Sequence, residues 1–201
     1  MPHTIDYYYS HSSPWTYLGH ARFHAIARKA GAVIRLKPVD YSKVFPVSGG
    51  LPLKARPLQR QAYRMMELKR WRAHLHLPLT LEPHYFPVAS DDAALIVIAA
   101  QEHGTDAQMA LAGNILRACW AEEKNIADHA VLADCATQAG LPGAALAARL
   151  GDAALRTTYD AFTAEAIARQ VFGAPTFVVN NELFWGQDRL DFLERALVSP
   201  T

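Results

Sequence analysis

The sequence predicts an α/β fold in which a β-α-β segment and a terminal β-β-α segment are separated by a large all-helical insertion. Three observations carry that prediction. The aromatic and apolar run Ile5-Asp6-Tyr7-Tyr8-Tyr9 leads through a short polar loop into Ser13-Pro14 and a helical pattern. Near the other end, Gly173-Ala174-Pro175-Thr176 introduces Phe177-Val178-Val179, a run of strand formers. Between Leu58 and Arg169 the apolar residues recur almost everywhere at helical spacing.

In chain order, residues 3–9 read as a strand that ends at Ser10-His11-Ser12. The helix after it stops at Gly31, and Pro14 suits its first turn, where a missing N–H costs nothing. Residues 32–39, with Val33, Ile34, Leu36 and Val39 as apolar members, form a second strand. Pro46, Gly49, Gly50, Pro52 and Pro57 mark residues 46–57 as a connecting loop, with turn formers too dense for regular structure. In the first inserted helix Tyr63, Met66, Leu68 and Trp71 fall on one side. Helical segments follow at 93–103, 107–122, 129–139, 143–150 and 152–169, with Asp128 as a cap and Gly140-Leu141-Pro142 as a stop. Residues 176–180 and 183–185 are strands joined at Asn180-Asn181, and a helix from 187 or 188 to 198 closes the chain. The division expected is residues 1–45 with 170–201 as one α/β unit, and residues 58–169 as the inserted helical one.

Bulk composition narrows the function classes. A chain of 201 residues fills one core, or one core carrying a large insertion. The formal net charge of +1 argues against a nucleic-acid binder driven by backbone charge. Cys119 and Cys135 lie in apolar helical patterns with no Cys-x-x-Cys, which reads as two reduced core thiols. No run of roughly 18 or more apolar residues occurs, and the start lacks a basic, apolar leader. Neither a membrane span nor a secretory signal is therefore read, and the expected location is cytoplasmic. His74-x-His76 and Glu82-x-His84 match no common metal spacing, so no metal is expected.

A strand–loop–helix with Ser13 at the helix start, plus a distant Gly-x-Pro-Thr before a strand, outlines a thioredoxin-type site. Serine stands where a redox enzyme carries its cysteine, so the thiol must come from elsewhere. Free N–H groups and the dipole at a helix start favour an anion. Lowering a thiol from about 8.5 by two units takes roughly 2.7 kcal/mol. A hydroxyl hydrogen bond to a charged group gives about 1.5–3 kcal/mol, and the helix terminus about 0.3–1 kcal/mol. Together they suffice. Read alone, Ser13 is better taken as an ordinary N-cap; with Pro175 and Asp188 in place it reads as the partner of a thiolate. A hydrolase nucleophile is disfavoured, because no Gly-x-Ser-x-Gly elbow surrounds it despite His11 and His20 nearby.

Three stretches share a wider pattern: Ser13-Pro14-Trp15-Thr16-Tyr17-Leu18; residues 56–71 with Tyr63, Glu67, Leu68, Arg70 and Trp71; and Val171-Phe172-Gly173-Ala174-Pro175-Thr176 with Trp185-Gly186-Gln187-Asp188-Arg189-Leu190. Taken together they resemble the 2-hydroxychromene-2-carboxylate isomerases and kappa-class glutathione transferases of the thioredoxin-like superfamily. The resemblance implies glutathione as cofactor, with Ser13 stabilising its thiolate. It implies a cis bond before Pro175, so that the Ala174 backbone pairs with the cysteinyl part. It places Gln187 and Asp188 at the γ-glutamyl end and Arg60 at the ligand where family members carry lysine. Trp15, Tyr63, Arg64 and Tyr85 are the expected substrate contacts. The chain departs from the family at Ser10, where an aspartate is common, and at Gly49-Gly50, where a Gly-Asn pair is found.

The reaction implied is cis-trans isomerisation of an aromatic conjugated keto acid by reversible thiolate addition. A kappa-type transferase, which consumes glutathione, and a non-enzymatic thioredoxin-fold binding module are the alternatives. The expected partner is a small aromatic carboxylate, with no nucleic acid and no membrane; a homodimer is compatible with the resemblance.

Overall fold

The computed structural model describes residues 2–198; Met1 and residues 199–201, assigned from sequence to the α/β unit, lie outside them. A four-stranded mixed sheet forms the centre, in the order β2-β1-β3-β4. Strand β1 (Thr4–Tyr9) runs parallel to β2 (Val33–Pro38) and antiparallel to β3 (Thr176–Val179), which pairs antiparallel with β4 (Glu182–Trp185). The β3–β4 turn places Asn180 and Asn181 at positive φ, a conformation asparagine tolerates well.

Successive side chains of a strand point to opposite faces. Ile5, Tyr7 and Tyr9 therefore share one face with Phe177 and Val179, under helix α1 (Pro14–Lys29) and helix α9 (Leu190–Val198). Tyr7 stacks between Tyr9 and Phe177, with ring centroids 4.7 and 5.2 Å away. Tyr8 and Val178 occupy the other face, against Tyr41 and Val44 of helix α2 (Tyr41–Ser48) and Ala166 of helix α8 (Ala153–Ala168). Coverage of both faces explains why β1 reads as an almost unbroken apolar run rather than an alternating one.

Asp6 breaks that run. Its side chain is only 3% exposed and accepts from Arg35 Nε and Nη2 at 2.6 and 2.8 Å. Lys37 Nζ lies 2.9 Å and Arg169 Nη1 2.5 Å from the same carboxylate. Lys37 continues to Glu165 of α8, which also accepts from the Tyr8 hydroxyl at 2.8 Å. Register supplies the strand cations, since Asp6 faces Arg35 and Tyr8 faces Lys37. Burial pushes the Asp6 carboxyl up, but the hydrogen bonds from Arg35 and Lys37 outweigh it, and it stays below its ordinary value.

The remaining helices are α3 (Leu58–Leu75), α4 (Asp91–Ala99), α5 (Thr105–Trp120), α6 (His129–Gln138) and α7 (Gly143–Ala148). Their buried side chains join the first face of the sheet in one apolar cluster. Asp128 caps α6 by accepting from Ala130 N–H at 2.9 Å. Trp120, at the end of α5, donates from its indole to the His11 carbonyl at 3.0 Å, so the insertion holds the loop after β1. Among the described residues, no helix is long and apolar enough to cross a membrane.

Three sequence expectations need correction. Residues 46–48 belong to a helix, α2, and residues 53–55 to a short 3-10 helix, where a continuous loop is expected. Pro46 removes one backbone hydrogen bond. Burial of Tyr41 and Val44, with the Asp40 cap, holds the turn regardless, and Gly49 at φ 76° ends it. On α3, Leu68 is fully buried with Met65, Trp71 and Leu75 packed against the same cluster, so Tyr63 and Met66 fall outside the buried face and are exposed. The terminal helix is preceded by a separate 3-10 helix, Gln187–Arg189.

His11 and His20 are fully enclosed. Burial, reinforced by the charge of the neighbouring His20, pulls His11 down to about 3. Burial pulls His20 down to about 4 against a bond from its ring to the Met109 carbonyl. A carbonyl only accepts, so His20 Nε2 carries the proton and Nδ1 accepts from the Tyr7 hydroxyl at 3.2 Å. In the unfolded chain each ring protonates near pH 6.5. Their contribution is therefore flat above that value and destabilising below it, by about 1.4 kcal/mol per pH unit for each ring. Urea unfolding at pH 7.5 and 5.0 should show these two rings removing about 4 kcal/mol. His11→Phe should roughly halve that slope; an unchanged slope would contradict a buried neutral His11. Asp6→Asn should cost about 3–5 kcal/mol at pH 7, because three cations then lose their shared carboxylate.

Candidate active site

The loop Ser10–Ser13 turns the chain from β1 into α1. The Ser10 and Ser12 hydroxyls lie 2.9 Å apart, and Ser13 N–H donates to the Ser10 carbonyl at 3.2 Å. Ser13 is the N-cap of α1: its Oγ accepts from Thr16 N–H at 3.2 Å, and Pro14 fills the first helical position. The same hydroxyl donates to the Ala174 carbonyl at 3.3 Å. The Ala174–Pro175 peptide bond is cis.

Gly173 anchors the facing loop. Its carbonyl accepts from Tyr41 Oη at 2.9 Å and Thr176 Oγ1 at 2.6 Å. A Cβ on Gly173 would lie 2.4 Å from Trp185 Nε1, so only glycine lets the indole cross this loop. Phe172 packs against that indole with ring centroids 4.8 Å apart.

A cavity of about 490 Å³ opens between the two loops. Ser10, Ser12, Ser13 and Ala174 line it beside Trp15, Phe45, Phe86, Phe172 and Trp185. Arg56, Arg60 and Arg64 line its remaining side, and no lining residue is acidic. Arg56 donates from Nε to the Leu51 carbonyl at 2.8 Å. Arg64 reaches only the Met65 sulfur, at 3.7 Å, and sits 5.8 Å above the Phe86 ring. Burial, then the like charge of Arg56, lowers Arg64 to about 10. Burial and Arg60 lower Arg56 in the same way.

The cavity thus gathers Ser13, Trp15, Arg60, Arg64 and Ala174 from the sequence expectations. Pro175 is buried behind Ala174. Tyr63 and Tyr85 are 54% and 46% exposed and do not line the cavity, although Phe86 and Pro87 beside Tyr85 do. Gln187 and Asp188 lie outside the lining. Gln187 is buried, and both its backbone carbonyl and its side-chain oxygen accept from Arg22. Asp188 pairs with Arg189 at 2.7 Å.

Sequence reasoning missed Arg56, whose only signal was its four-residue spacing from Arg60 and Arg64. It missed Phe45, which lies between the second predicted strand and the predicted loop, where no helix was read. It also missed Arg22, the residue of α1 that holds the Gln187–Arg189 turn. Arg22 stands 5.9 Å from the Trp71 ring of α3. Gly19, one helical turn earlier, allows the approach, since a Cβ there would meet Gln187 Cβ at 2.8 Å.

A family model described as a DSBA-like thioredoxin domain matches residues 4–198. The chain belongs to that family. A protein from Sphingobium xenophagum named 2-hydroxychromene-2-carboxylate isomerase is 31% identical, over 98% of this chain and 100% of its own length. A Pseudomonas putida protein of the same name is 29% identical, over 96% of this chain and 93% of its own. A solved 2-hydroxychromene-2-carboxylate isomerase superposes with a TM-score of 0.78 at 28% identity, covering 96% of this chain and 94% of that one. The thioredoxin-type sheet with a helical insertion is therefore the architecture of this family, as the sequence predicts.

Arg22→Met removes the charged donor that pins Gln187. Amide hydrogen exchange across residues 186–190 should accelerate about tenfold or more, the loss of a charge-assisted hydrogen bond. Unchanged exchange there would show that the turn is held by its apolar contacts alone.

Proposed function

We propose that the protein is a glutathione-dependent cis-trans isomerase of the 2-hydroxychromene-2-carboxylate type, acting on an aromatic conjugated keto acid. The observation that carries this reading is the Ser13 hydroxyl at a helix N-terminus, 3.3 Å from the Ala174 carbonyl, beside a cavity lined by three arginines and no acid. The names of the relatives support the substrate class.

The residues present fit glutathione. Ser13 Oγ holds its own proton through a long bond to a neutral carbonyl, so an anion offered beside it is the stronger acceptor. Ala174, ahead of Pro175, has the backbone to hold the cysteinyl part. Arg60 is the candidate for one carboxylate, and the Gln187–Asp188 turn for the γ-glutamyl ammonium through Asp188. When bound, glutathione supplies a recyclable thiolate nucleophile, which converts a conjugated double bond into a rotatable single bond and back.

The chain's own residues do the rest. With glutathione bound, Ser13 Oγ would donate toward the sulfur and favour its ionised form, aided by the dipole at the start of α1. Trp15, Phe86 and Trp185 exclude water and present flat apolar walls to an aromatic ring. Arg64, half-buried and without a carboxylate partner, holds the carboxylate of the keto acid. Thiol chemistry by the chain itself is not supported. Burial pushes Cys119 up to about 12 and Cys135 up to about 11, and both lie in helices outside the cavity.

Ultraviolet-monitored interconversion of 2-hydroxychromene-2-carboxylate and its open-chain trans isomer tests the reading. Turnover should require glutathione and leave the free-thiol count unchanged. Steady thiol loss would indicate a transferase, and glutathione-independent binding without turnover a binding module. Ser13→Ala should move the thiolate limb of the pH profile upward by about one to two units, with a loss of roughly 10- to 100-fold at pH 7. The limb rises with pH because the active form is deprotonated. A uniform loss with no shift would assign Ser13 to helix capping alone.

A further inference from the structure

The three arginines exceed what one aromatic monocarboxylate requires. Arg56, Arg60 and Arg64 recur every four residues from the end of a 3-10 helix into α3, and all reach the same cavity. Among the described residues none of them has a carboxylate partner, unlike Arg35 and Arg169 across the sheet, which share Asp6. Two of the three are half-buried, and each is lowered by burial and by a neighbouring arginine. Like charges held together without a counter-ion are unfavourable, and this arrangement persists where an anion completes it. A merely solvated basic face does not describe Arg56 and Arg64, whose heads are drawn toward Leu51 and Phe86.

We propose that the aromatic substrate is a dianion, carrying a second ionised acidic group on its ring in addition to the keto-acid carboxylate. This rests on the glutathione reading above. The α-carboxylate of the γ-glutamyl group shares a carbon with the ammonium assigned to the Gln187–Asp188 turn, and Arg60 is assigned to the glycyl carboxylate. Arg56 and Arg64 therefore each remain for one acidic group of the second substrate. The aromatic walls Phe45, Phe86 and Trp185 fit the ring between them. The inference narrows the substrate class from aromatic keto acids in general to those bearing a further acid. The reaction that supplies the substrate must then leave a ring carboxylate or an equivalent acid intact.

Trp15 and Trp185 line the cavity, so binding is readable by tryptophan fluorescence without turnover. Glutathione is titrated first; then, with glutathione present, isophthalate is compared with benzoate at low ionic strength. Isophthalate should bind about tenfold or more tightly, and added salt should narrow the gap. Arg56→Gln and Arg64→Gln should each bring the ratio close to one, while Arg56→Lys retains part of it by keeping the charge. Equal affinities for the two probes would overturn the dianion. So would a preference untouched by both glutamine variants. Failure of glutathione itself to bind would instead remove the reading on which it rests, and the two failures are separable in one titration series. A ring-carboxylated chromene substrate should likewise show about tenfold higher kcat/KM than the unsubstituted one.

Discussion

The structure depends on one buried carboxylate. Asp6 sits in the central strand of a sheet covered on both faces, where an unpaired charge would cost several kcal/mol. Arg35 and Lys37 come from the neighbouring strand, but Arg169 comes from the segment that follows α8, after the whole helical insertion. Lys37 also reaches Glu165 of α8. The network around it is complete only when the insertion has folded back onto the sheet. That return sets the chain immediately before Val171, and hence the Gly173-Ala174-Pro175 loop opposite Ser13. The ion network does not touch the cavity, yet it fixes the end of the insertion from which one side of the cavity is built.

A second constraint works from the opposite face. Trp120 of α5 donates to the His11 carbonyl, and His20 of α1 bonds the Met109 carbonyl of α5. The loop carrying Ser13 is thus tied to the insertion at both ends, through a helix that contributes nothing to the cavity lining. Rigid support of this kind matters for a hydroxyl that we propose donates toward an anion. Pre-set direction is what separates a useful charge-assisted bond from a solvent-competent one.

Much of the fold was legible in the residues. The aromatic strand, the Ser13-Pro14 helix start and the Gly-x-Pro-Thr loop are local signals, and each sets its own backbone. Helical periods gave the insertion because buried faces repeat within a helix. What escaped depends on contacts distant in sequence. Helix α2 survives Pro46 because Tyr41 reaches Gly173, 132 residues away. Tyr63 and Met66 look like part of the stripe with Leu68 and Trp71, but the face of α3 that meets the core is Met65, Leu68, Trp71 and Leu75. Arg22 reads as a surface residue of α1, and only the folded chain brings it beneath Gln187. The candidate site follows the same division: Ser13, Ala174 and Arg60 were read as site residues from their motifs, whereas the part played by Arg56 and Phe172, within the same stretches, and by Phe45 depends on the closed cavity.

The origin of the two cavity walls has a consequence for how such a site diversifies. Ser13 and Ala174 come from the sheet segments, where a cis proline, a capping bond and the Gly173 carbonyl with two donors leave little freedom. The arginine row and Phe86 come from α3 and the segments flanking it, and α3 has one fully buried side chain, Leu68. Within that row Arg60 is exposed, and its substitution costs about half a kcal/mol or less, whereas Arg56 and Arg64 are half-buried. Substitutions in the row change the charge that meets a ligand outright. On the proposed reading, chemistry and selectivity are carried by parts of the chain under different packing constraints. A cavity with three uncompensated guanidiniums is then better read as a setting of selectivity than as a by-product of folding.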